Sequence, residues 1–106
     1  MAFVRIHDLE EARRAVEQAR GAGAEPVLVS APGSAAFAGV GYWQAVALTL
    51  GEPVVIDCGD DAGLVMGALR AGARDLLFTG PEAVAARLDD MAGQLGGRVR
   101  RRLDDG

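Results

Sequence analysis

The 106-residue chain has no lysine, one cysteine, one histidine and five aromatic residues, and each shortage removes a class of mechanism. Without lysine there is no Schiff-base nucleophile. A single cysteine, Cys58, excludes an intrachain disulfide and favours a reducing, cytoplasmic setting. A lone histidine, His7, has no imidazole companion. Basic excess is missing as well: the net charge is −4, which argues against nucleic acid as a partner, since phosphate binding wants a basic face. Residues 26–51 carry no charge, but Pro26, Pro32, Gly33 and Gly51 break them into a strand and a helix, so no membrane span is expected. The N-terminus lacks a basic stretch followed by an apolar one, and no signal peptide is expected.

What is present is a phrase repeated four times: an extended apolar run, one or two small polar residues, then a helix. The runs begin at Phe3, Pro26, Pro53 and Asp75 and end in His7, Ser30, Asp57 and Thr79, at βαβ spacing. The fold class this predicts is α/β: a small (βα)4 domain over residues 1–97 with a mostly parallel sheet. Residues 98–106 read as an Arg-rich tail or a short fifth edge strand near 98–103.

Local signals place the helices. Asp8 with Glu11 is a capping-box pair and starts the first helix near Leu9. Ser34 is the expected cap of the second, which runs to Leu50, although Gly39 and Gly41 weaken its first turn. That helix is apolar nearly all round, as helices buried on more than one side are. Asp60 or Asp61 caps the third, and Gly80-Pro81-Glu82 opens the last.

The second to fourth strands are continuous apolar runs, the pattern of a parallel sheet covered on both faces. Two arrangements satisfy this. One is a flavodoxin- or Rossmann-like three-layer domain of strand order 2-1-3-4, and the alternative is half of a (βα)8 barrel. Both leave apolar surface that four helices cannot cover. The expectation is therefore a homo-oligomer, most simply a homodimer, using Tyr42, Trp43, Val46, Leu50 and Met66.

Ligands of such sheets bind beyond the carboxyl ends of the strands. That edge carries the candidate catalytic residues Asp57 and His7, the first as acid, base or cation ligand and the second as base. Its candidate ligand-binding residues are Ser30, Gly33, Ser34, Asp60, Thr79 and Gly80, which offer hydroxyls and backbone N–H groups to a small anion. Cys58 sits among three carboxylates, which disfavour a thiolate, so a semi-buried apolar role is expected. Against each functional role stands a structural one, because aspartates before helices cap them and serines after strands close turns. The pattern implies no cofactor and no metal.

Two resemblances bear on this edge. Ala68-Leu69-Arg70-Ala71-Gly72-Ala73-Arg74-Asp75-Leu76-Leu77-Phe78-Thr79-Gly80 resembles a late βα unit of aldolase-type and phosphate-binding (βα)8 barrels, over about an eighth of the chain. It implies a phosphate loop after Thr79. The order Asp8, Asp57, Thr79 at successive strand ends resembles response-regulator receivers and implies Asp57 as a phosphoacceptor, but no acidic pair ends the first strand and no lysine exists. The leading expectation is a small oligomeric module binding a small anion at these loops. The alternatives are a lyase- or hydrolase-like enzyme using Asp57, Asp60 and His7, and a phospho-switch on Asp57.

Overall fold

A computed structural model describes residues 2–103, so the end of the Arg-rich tail, residues 104–106, lies outside the described residues. The strands are β1 (Ala2–Ile6), β2 (Pro26–Ser30), β3 (Val54–Asp57), β4 (Asp75–Leu77) and β5 (Arg98–Arg100). Between them lie α1 (Leu9–Gly21), α2 (Ser34–Ala38), α3 (Val40–Leu50), α4 (Ala62–Arg70) and α5 (Glu82–Gln94). The mixed α/β class and the parallel sheet are those the periodicity predicts, and the Arg-rich segment does supply a short fifth strand.

The strand order is β1-β2-β3-β4-β5, all parallel, which corrects the 2-1-3-4 order and matches the half-barrel alternative. Each right-handed crossover moves one strand in the same direction, so successive helices land on the same face. The packing agrees: Ala12 and Val16 of α1, Ala35 of α2, Trp43 and Val46 of α3, Val65 and Leu69 of α4 and Leu88 of α5 join one core with Ile6, Leu28, Ile56 and Leu76. Three layers thus become two.

Among the described residues no helix covers the other sheet face, yet Val29, Val55 and Leu77 are almost fully buried there. Curvature and long side chains explain this. The Arg100 guanidinium of β5 lies 5.7 Å from the centre of the Phe3 ring of β1, so the side chains of the two edge strands meet across a concave sheet. Phe3, Val27 and Leu103 complete that small second core. Two ion-pair clusters flank it, Arg5 with Asp57 and Arg100 with Asp75. Continuous apolar strands therefore arise here without helices on both faces.

The second predicted helix is two. Gly39 at φ 90°, ψ 149° lies outside helical space and separates α2 from α3. The α3 surface holds a further correction to the expected interface: Trp43 and Val46 are 0% and 2% exposed and belong to the chain's own core, while Tyr42 and Met66 are exposed and Leu50 is half-buried. Among the described residues, Trp43 Nε1 is buried with no hydrogen-bond partner.

At the far edge, Asp89 of α5 accepts a hydrogen bond from the Val99 N–H at 2.9 Å. In a parallel ladder alternate N–H groups point away from the neighbouring strand, and Asp89 occupies the one β5 would otherwise offer to a further strand.

Candidate functional site

The carboxyl edge of the sheet gathers the predicted residues, and most of them have work within the fold. Asp57 ends β3 and is 7% exposed. Its Oδ2 accepts from Arg5 Nη1 at 2.5 Å and its Oδ1 from the Gly59 N–H at 2.9 Å. The same Arg5 nitrogen donates to the Ser30 carbonyl at 3.1 Å, and the Asp57 N–H donates to Ser30 Oγ at 2.9 Å. Arg5 thereby reaches across β2 and ties three strands together. Ser30 is 0% exposed, inside this knot and out of reach of a ligand.

Two of the other acids are caps. Asp8 Oδ1 accepts from the Glu11 N–H at 2.8 Å and Asp61 Oδ1 from the Leu64 N–H at 3.0 Å, each closing a helix start. Glu11 reaches one residue past the cap and accepts from the His7 N–H at 2.8 Å, not from that of Asp8, so the expected box forms only by half; its Oε1 also lies 2.9 Å from His7 Nδ1. That hydrogen bond to the His7 side chain, with the one from its backbone, holds the Glu11 carboxyl below its ordinary value. His7 and Asp57 thus face different partners and do not form an acid–base pair. Asp60 is exposed on the loop beside them.

Cys58 is buried, and burial, with Asp57 and Asp61 nearby, pushes its thiol up to about 12. It remains a neutral thiol at physiological pH. Among the described residues no group of three or more His, Cys, Asp and Glu is arranged to hold a metal ion, and no helix is long and apolar enough to cross a membrane.

The second loop differs from expectation in its cap. Gly33, at φ 79°, occupies the cap position of α2, and Ser34 begins the helix and turns its Oγ back to the Ala31 carbonyl at 2.6 Å. With its N–H also spent on Ala31, Ser34 presents neither donor outward.

The loop after β4 is different. The Thr79 N–H donates to the Gly59 carbonyl at 2.7 Å, which leaves its exposed side chain in solvent. Gly80 is required by packing, since a Cβ there would collide with the Phe78 ring. α5 begins behind Pro81 with no side-chain cap, unlike α1 and α4. Its first-turn N–H groups, on Glu82, Ala83 and Val84, have no partners inside the helix. Arg101 comes back to this loop: its Nη1 and Nη2 donate to the Phe78 and Gly80 carbonyls at 2.9 and 2.7 Å, and its guanidinium carbon lies 5.7 Å from the Phe78 ring centre. Arg101 belongs to the Arg-rich segment, and nothing in linear sequence assigns one arginine of that run to the β4–α5 loop. Glu82 also supplies an acid to the same first turn.

No protein-family model, curated protein or solved structure matches the chain.

Proposed function

We propose that the chain is a small α/β binding module that takes a small anion at the β4–α5 loop, using Thr79, Gly80, the first-turn N–H groups of α5 and Arg101. One observation carries this reading: α1 and α4 satisfy their N-termini with their own aspartates, α3 and α5 have no side-chain cap, and of these two α5 has an arginine held at its loop. A helix N-terminus of that kind attracts anions through aligned dipoles and unused donors. The candidates Ser30 and Ser34 drop out of the proposed site, since their polar groups are used internally, and Gly33 and Asp60 have no cationic partner in it. The reading needs no acid–base chemistry and fits a cytoplasmic setting.

The enzyme alternative built on Asp57, Asp60 and His7 loses support for the same reason that Asp57 loses it as a phosphoacceptor. Either role would have to break the Arg5 ion pair and the Gly59 hydrogen bond first. Titration with inorganic phosphate, followed by calorimetry at constant ionic strength, tests the anion reading. Binding that Arg101→Ala removes supports it, and heats equal to a chloride control contradict it.

A homodimer is proposed beside this, through the outer side of α3. The helix carries no charged residue, and Leu48 on its outer side is 86% exposed, with Tyr42 on the same helix 37% exposed. A charge-free helix with a bare leucine in water is better covered than exposed. Sedimentation velocity checks it: association that Leu48→Glu abolishes is expected, and a concentration-independent monomer contradicts it.

A further inference from the structure

We propose that the groove between α4 and α5 is a docking site for an acidic amphipathic helix of a partner protein. The groove is a cleft of about 380 Å³ lined by Met66, Leu69, Arg70, Arg74, Met91 and Leu95. Met66, Met91 and Leu95 are 38%, 42% and 51% exposed, three large apolar side chains facing solvent in one place. Methionines at a surface of this kind suit adaptable binding, because an unbranched thioether repacks around differently shaped partners. A helix laid in a groove presents apolar anchors at i, i+3 and i+4, the spacing that a cleft between two helices accepts.

Charge decides which helix. Arg70 ends α4 and Arg74 follows it, and among the described residues neither forms an ion pair. Arg74 donates to the Leu69 and Ala73 carbonyls, which fix its guanidinium at the groove. Elsewhere on the helical layer, Arg13 meets Glu10 and Arg20 meets Glu52. Arg14 and Arg87 are in no ion pair among the described residues either, but of these arginines Arg70 and Arg74 are the two that line the apolar cleft, where they complement carboxylates on the partner.

A second copy is the competing occupant. α4 and α5 both run back from the carboxyl edge of the sheet, so the arginine end of the groove adjoins Leu95. A two-fold axis along the helices would set the Arg70 and Arg74 of both copies at one end, with like charges together. An axis across them would turn those arginines toward the other copy's helix starts, where Asp61 caps α4 and Glu82 opens α5. Self-association through this groove, distinct from the dimer proposed through α3, is therefore an outcome that would count against a partner helix.

The test uses two fluorescein-labelled synthetic helices with leucines at i, i+4 and i+7, one with glutamates on its flanks and one with lysines, measured by anisotropy against the full chain. The acidic peptide is expected to bind and the basic one to bind at least about tenfold more weakly. Arg70→Glu, a change at an exposed side chain that forms no hydrogen bond among the described residues, is expected to reverse that preference. Met91→Asp is expected to abolish binding of both while circular dichroism shows an unchanged fold. Equal binding of the two peptides, no binding of either, or an unaltered preference in Arg70→Glu would overturn the proposal. So would a self-association that Met91→Asp removes, since it would make the groove a contact between copies.

Discussion

Replacing Asp57 with alanine separates a structural from a chemical reading of the strand-end acids. The change removes the acceptor of the Gly59 N–H and the partner of Arg5, in a place only 7% exposed. A hydrogen bond to a carboxylate from a part-buried donor such as the Gly59 N–H is worth about 1.5–2 kcal/mol. The Arg5 pair adds at most about 1 kcal/mol, because the arginine side chain is 37% exposed and solvent screens it. The sum is about 2.5 kcal/mol, or about 10 °C in Tm for a domain of this size. Asp57→Asn keeps an acceptor for Gly59 and loses the ion pair alone, so about 1 kcal/mol is expected. Urea unfolding followed by circular dichroism measures both, and the double cycle with Arg5→Ala isolates the pair. An Asp57→Ala protein within about 0.5 kcal/mol of the original, or more stable than it, would refute the reasoning, since acids held for chemistry are commonly destabilising.

Two further perturbations follow from the same geometry. Because burial raises the Cys58 thiol from 9.0 to about 12, folding stability is full below pH 9.0 and declines as pH rises from there toward about 12. Alkylation by iodoacetamide near neutral pH is expected only when urea unfolds the chain, and labelling of the native protein at the rate of a free thiol would contradict this. Asp89→Ala uncovers the Val99 N–H on the outer edge of β5, with a loss of about 1 kcal/mol and greater association through that edge, measured by urea unfolding and light scattering. An unchanged midpoint would show that Asp89 does not guard the edge.

The parts legible in the sequence are those set by neighbours in the chain. Asp8 and Asp61 cap helices because capping depends on three or four consecutive residues, and the four apolar runs become strands because they are short and apolar between turn residues, the second and third also rich in valine. Strand order is not local. A crossover of the same length serves order 2-1-3-4 or 1-2-3-4, and the continuous apolar runs suggested two covered faces where the sheet covers one by curling. A signal did exist: Arg5 in the middle of β1 and the arginines of β5 mark both as edge strands, whereas order 2-1-3-4 would bury β1 between neighbours. Trp43 and Val46 misled for a related reason, since a helix apolar on every side does not reveal which side its own sheet takes. The Arg5–Asp57 contact and the return of Arg101 to Phe78 and Gly80 join residues 52, 23 and 21 positions apart, and both depend on strand order and pairing that periodicity does not encode.

The proposed anion site reduces to the first-turn amides of α5. In a ¹⁵N-resolved titration with inorganic phosphate at constant ionic strength, the Glu82, Ala83 and Val84 N–H resonances are expected to shift together and saturate, with Thr79 and Gly80 following. Arg101→Ala is expected to flatten the curves. Saturable shifts at the Gly33–Ser34 turn with α5 unmoved, or no saturable shift anywhere, would contradict the account.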